Sequence, residues 1–298
     1  MPLSDLSVDV FLVLRDAFFN DTGSPKPFLL REKRNTQDDP LDEHVAAVLA
    51  DRLTSSCCHK ASGPLISPDM VVYRPEHCEN ISRALLRDDP FRMIALEVKK
   101  LERMRSGQVA RSTGLDYNTT PPCGTIRVYD ADDKPLDLRG FYLFVCQERG
   151  DDGRAFLSAL ALCDGDVLNA DFNLYLQITG RREKGLGLGT YGDGVNRNRP
   201  MFIFSNPLGA AQLDHVATLI SRADFSEMDS RVGIVYHIGR TIPEGGQGIF
   251  FAYRNTKDVP LGWELQHLAD PFPQPVHRIT ATQPRGKFRL PIRLAEEG

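Results

Sequence analysis

The sequence predicts an α/β domain built on a mixed sheet with substantial loop insertions. Amphipathic helical segments lie near the N-terminus, β-branched and aromatic runs of strand length follow, and no internal repeat or composition break divides residues 1–298. Residues 4–19 carry apolar positions at helical spacing, with Ser4 as the expected N-cap. Residues 21–40 read as a loop. Residues 42–53 read as a second helix, with Asp42 and Glu43 in its first turn, where the helix dipole favours acids. A short strand is expected just after Pro68, and residues 76–90 form a polar connection or short helix. Residues 91–100 run nearly unbroken in apolar side chains until the charges at their end, as in a strand buried on both faces. Further strands are expected at 141–148, 155–163, 173–180, 201–207, 231–239 and 248–255, and a helix at 208–222.

Composition narrows the function class. Apolar residues make up 41% of the 298 and charged residues 26%, the balance of a globular protein rather than a disordered or fibrous one. No run approaches the roughly 18 apolar residues of a membrane span, and the N-terminus lacks a secretory pattern, so no membrane partner and a cytoplasmic location are expected. The six cysteines are scattered through the chain, and Cys57, Cys58, His59, His77 and Cys78 lack the paired spacing of a structural zinc site. Reduced thiols are therefore expected. No nucleophile elbow, P-loop or HExxH motif occurs.

The net charge of −4 hides an uneven distribution. Residues 98–111 carry Lys99, Lys100, Arg103, Arg105 and Arg111 against the single acid Glu102, and residues 277–294 carry five cations and no acid. Basic stretches on an acidic body suit a protein that holds nucleic acid in one place and gathers carboxylates around a metal in another.

The chemistry is concentrated in Pro68-Asp69 at the start of one expected strand and Glu97-Val98-Lys99 at the end of the next. Side chains two apart on a strand share a face, so Glu97 and Lys99 point together while Val98 turns into the core. If the strands are neighbours, Asp69 comes alongside Glu97. Two close carboxylates repel, and a hard divalent cation with oxygen ligands resolves the conflict.

This arrangement resembles the active-site signature of the PD-(D/E)XK nuclease superfamily, and in particular its Type II restriction endonucleases. The resemblance covers residues 68–99, with weaker support from the helix-strand-strand order over 42–100. It implies a restriction-endonuclease-like fold, a central mixed sheet flanked by helices. It also implies Mg²⁺-dependent hydrolysis of double-stranded DNA at a short specific sequence to leave 5′-phosphates, and a homodimer that cuts both strands. Carried over by position, Asp69 and Glu97 become metal ligands and Lys99 the catalytic lysine. Some members add a carboxylate from the preceding helix. Glu43 is that candidate here, although the same residue also complements the helix dipole, and both readings stand.

DNA contacts are expected from Lys100, Arg103, Arg105 and Arg111. Asn118, Thr119 and Thr120 join them from a loop stiffened by Pro121 and Pro122. The glycine-rich run 180–200 fits the spacing GxGxxG but is followed by an apolar strand instead of a helix, so it fails as a dinucleotide loop. With Arg181, Arg182, Lys184, Arg197 and Arg199 it reads as a DNA-wrapping arm or as a surface loop without function. Two rivals remain: a PD-(D/E)XK repair or mobile-element nuclease, and a DNA-binding protein without catalysis.

Overall fold

The computed structural model describes residues 4–35, 38–63, 66–78, 86, 89–103, 109–111, 124–167, 190–191, 200–203, 207–241, 247–268, 276–279 and 286–294. Helix α1 (Leu6–Phe18) forms where Leu6, Val10, Phe11, Leu14 and Phe18 recur on one face, and all five are buried. Its N-cap is Asp5 rather than the expected Ser4. The Asp5 carboxylate accepts from the Ser7 backbone N–H at 2.8 Å, while the Ser4 hydroxyl donates to Asp9. Helix α2 (Pro40–Arg52) starts from Asp39 as N-cap with proline in its first turn, and buries Leu41, Val45 and Leu49.

Strand β1 (Cys57–Lys60) pairs antiparallel with β2 (Met70–Tyr73), and β2 antiparallel with β3 (Met93–Arg103). Strand β4 (Val109–Arg111) returns along the far end of β3. Strand β5 (Thr125–Tyr129) forms a hairpin with β6 (Pro135–Arg149), which runs parallel to β3 and antiparallel to β7 (Ala155–Asp164). Strands β8 (Thr190–Tyr191) and β9 (Pro200–Ile203) follow, then β10 (Ala217–Ser221), β11 (Val232–Thr241), β12 (Gln247–Asn255), β13 (Gln266–Leu268) and β14 (Val276–Ile279). The described strands form a twelve-stranded mixed sheet whose main path is β1-β2-β3-β6-β7-β10-β12-β11-β13. Strands β9 and β14 form a separate pair.

The α/β class and the mixed sheet agree with the sequence reading. The helix expected near β10 is the element that changes. Residues 208–222 do not form the expected helix: a short 3-10 turn, Pro207–Gly209, is followed by β10, wholly buried between β7 and β12. A run as short as Ala217–Ser221 does not distinguish the two periodicities, and hydrogen-bonding neighbours on both sides select the strand. Strands β1, β4, β5, β8, β13 and β14 fall where the sequence reading expects no element. The strand expected at 173–180 lies outside the described residues.

The sheet has a core on each face. Leu6, Val10, Leu14, Leu41, Val45 and Leu49 from the helices pack against Met70, Ile94, Leu96, Leu143 and Leu160. Opposite, Val71, Ala95, Leu101, Phe144 and Ala161 pack with Ile126, Val128, Phe288 and Leu290. The basic C-terminal tail is thereby partly neutralised: Phe288 and Leu290 turn inward, while Lys287 and Arg289 pair with Asp133 and Arg293 with Asp132. Among the described residues no helix is long and apolar enough to cross a membrane.

Asp5 supplies a test of this packing. Burial, opposed by its bonds to Ser7, pushes its carboxyl up to about 6. A folded-state pKa above the unfolded value means that the native state holds the proton more tightly, so this group lowers stability as pH rises from about 4 through about 6. Asparagine caps equally well and carries no charge. Asp5→Asn is expected to stabilise the protein at pH 8 by up to about 3 kcal/mol, with the gain vanishing near pH 4 in denaturant titrations.

Candidate functional site

The site forms where β2 stops short of its neighbour. The β2–β3 register pairs Met70 with Leu96, so the next step places Asp69 beside Glu97. Asp69 Oδ2 accepts from the Val98 backbone N–H at 2.7 Å, which fastens the turn before β2 to β3. The Ser67–Pro68 peptide within that turn is cis. Glu97 is only 3% exposed, and both its oxygens are engaged: Ser67 Oγ donates to Oε2 at 2.7 Å and Lys99 Nζ to Oε1 at 2.9 Å. Strand alternation puts Glu97 and Lys99 on one face and sends Val98 into the helix-side core. The structure thus brings Asp69, Glu97 and Lys99 together.

Helix α2 brings further acids to the same place. Asp39 caps the helix through the Leu41 N–H at 3.1 Å and accepts Lys100 Nζ at 2.7 Å. Asp42, half-buried one turn in, faces Asp69, Asp39 and Glu97. Burial first, then these three negative neighbours in that order, raise its carboxyl well above the ordinary value, and Lys60 opposes them. The helix carboxylate facing the site is therefore Asp42. Glu43, the sequence candidate, lines the same cavity but is held by Arg31, whose Nε donates to Oε2 at 2.8 Å, and this bond lowers its pKa. Successive helical residues differ by about 100° in direction, so one position decides the matter. The signal was present: Leu41, Val45 and Leu49 mark the buried face, Asp42 lies three before Val45, and Glu43 aligns with exposed Ala47.

An open cavity of about 360 Å³ is lined by Asp39, Asp42, Glu43 and Asp69 together with Lys60, Arg31 and Arg34. Lys60 on β1 and the buried Ser67 were not anticipated, because no local pattern marks either. Among the described residues no group of three or more His, Cys, Asp and Glu side chains stands in an arrangement that could hold a metal ion. The donor chemistry nevertheless fits a hard divalent cation. Asp42 and Asp69 offer carboxylate oxygens, and the three acids near Asp42 add to the burial that raises its pKa, a crowding of like charges that a cation would offset.

Of the expected DNA contacts, Lys100 is paired with Asp39 as above. Arg103, only 10% exposed, clamps Glu148 and Asp214, with Nε and Nη2 each donating at 2.6 Å. Its guanidinium thus ties β6 to the turn before β10. Arg111 lies on β4, with its side chain outside the described set. Arg105, Asn118, Thr119, Thr120, Arg181, Arg182, Lys184, Arg197 and Arg199 lie outside the described residues. The cysteines considered for zinc do not gather: Cys57 is exposed and Cys78 buried, both as free thiols. Comparison with family models, with curated proteins and with solved structures gives no match, so the meaning of this site rests on its own geometry.

Proposed function

We propose that the protein is a Mg²⁺-dependent endonuclease of the PD-(D/E)XK kind, cutting double-stranded DNA at a short specific sequence as a Type II restriction enzyme does and acting as a homodimer. The observation that carries the reading is the meeting of Asp69 with the Glu97–Lys99 pair at the point where β2 ends and β3 continues. Asp69 and Glu97, with Asp42 from the helix, would hold the cation. When bound, the ion neutralises phosphate charge and acidifies water.

The residues of the chain supply positioning. The Val98 N–H holds Asp69, Ser67 and Lys99 hold Glu97, and Lys99 presents an ammonium to the attacking water and the phosphate. Water oxygen bonds to phosphorus, the bond to the 3′ oxygen breaks, and a proton passes to that oxygen, leaving a 5′-phosphate. Incubating supercoiled plasmid with protein and Mg²⁺ tests the reading. Discrete fragments are expected, a smear would favour a non-specific nuclease, and intact DNA would overturn the proposal.

Asp42 and Glu43 separate the two helix carboxylates. Asp42→Asn is expected to raise the Mg²⁺ needed for half-maximal cleavage by about tenfold or more, while Glu43→Gln leaves it unchanged. Without divalent cation, Asp42→Asn should also melt at a higher temperature than the parent, because it removes a desolvated charge among like charges. Equal Mg²⁺ dependence in both variants would remove Asp42 from the metal site.

A further inference from the structure

Most cations around the candidate site are committed to carboxylates. Lys99 is paired with Glu97, Lys100 with Asp39, and Arg31 with both Asp38 and Glu43. Lys60 and Arg34 differ. Both line the cavity and are exposed, and among the described residues neither side chain forms an ion pair or a hydrogen bond.

The backbone fixes where these two charges stand. Lys60 ends β1, the edge strand, and pairs with Met70, while the Ala61 N–H donates to the Asp69 carbonyl at 2.8 Å. Lys60 is therefore one residue from the position opposite Asp69. Paired residues share a sheet face, and Met70 belongs to the helix-side core, so Lys60 projects on the side that α2 covers, where Asp42 lies. Arg34 sits on the segment between α1 and α2. That segment is pinned, because the Arg34 N–H donates to Asp38 Oδ2 at 2.7 Å and Arg31 Nη1 donates to the same oxygen at 2.6 Å.

The acids of the cavity are otherwise engaged. Arg31 takes Asp38 and Glu43, Lys100 takes Asp39, and the proposed function assigns Asp42 and Asp69 to the cation. Lys60 acts on Asp42 more weakly than the three neighbouring acids do, so it is not that residue's counter-ion. We propose that Lys60 and Arg34 hold backbone phosphates of the DNA beside the one being cut, an assignment that rests on the nuclease reading. Phosphates recur along each strand, so DNA laid across Asp69 and Lys99 brings further anions to this wall, and lysine or arginine meeting them displaces condensed counter-ions. The two residues position substrate and take no part in the chemistry. An edge lysine can also discourage edge-to-edge pairing of sheets, a role that needs no DNA.

Salt dependence separates these roles. A labelled duplex of about 30 base pairs is titrated with the full chain by fluorescence anisotropy, with Ca²⁺ at one fixed concentration in place of Mg²⁺. Lys60→Gln and Arg34→Gln are each expected to flatten the slope of log affinity against log salt by about 0.9. Each should also weaken binding by about three- to tenfold near about 0.1 M salt, equally for two duplexes of unrelated sequence. Lys60→Arg should keep the parental slope. So should Lys257→Gln, which removes an exposed charge just past β12, six strands along the sheet path from β1. Thermal melts confirm folding, which both exposed sites should tolerate. A parental slope in a folded variant removes that residue from the inference. Parental slopes in both, or an equal loss in Lys257→Gln, overturn it and leave the nuclease reading in place. A parent protein that binds neither duplex removes both.

Discussion

Asp69→Asn is expected to abolish DNA cleavage, by at least about a thousandfold, while leaving DNA binding largely intact. The asparagine oxygen can still accept from the Val98 N–H, the bond that fastens the β2 turn, so the substitution removes charge while conserving the local structure. An alanine would orphan that buried donor and confuse folding with chemistry. Cleavage is followed on plasmid at saturating Mg²⁺, binding by gel shift without cleavage-supporting metal, and folding by thermal melt. Retained cutting in a folded variant would remove Asp69 from the machinery and take the proposed function with it.

Lys99→Gln should slow hydrolysis by about a hundred- to ten-thousandfold, the usual weight of a positioned proton-transfer group. The side-chain amide can still donate to Glu97, which limits the cost of leaving that buried carboxylate without its ammonium. The decisive control is metal. A lysine acting on water and phosphate cannot be replaced by more Mg²⁺, so the defect should persist under single-turnover conditions at any concentration of the ion. Full rescue by Mg²⁺ would show instead that Lys99 only adjusts the affinity of the carboxylates.

The two positions were found in different ways. Glu97 and Lys99 share a face because alternation along a strand is a local property of the backbone, and the apolar run before them marks that strand unaided. Asp69 was legible as the residue preceding a β-branched run. Its place beside Glu97 was not, because it depends on β2 and β3 pairing in one register across 28 residues of chain. Asp42 was written in the helix periodicity and missed by one position. Arg103 shows the opposite limit, since a count of cations in 98–111 cannot see that Asp214, 111 residues away, accepts its guanidinium.

What the amino-acid sequence determined alone was therefore everything set by short-range geometry: the α/β class, helices α1 and α2, the long buried strand β3, and the shared direction of Glu97 and Lys99. Tertiary structure decided which strands became neighbours, that residues 217–221 became a central strand rather than part of a helix, and which helix acid faces the site. The reason is range. Periodicity is enforced by each residue's own dihedrals, whereas register and charge pairing depend on which distant segments win the competition for the same hydrogen bonds and counter-ions.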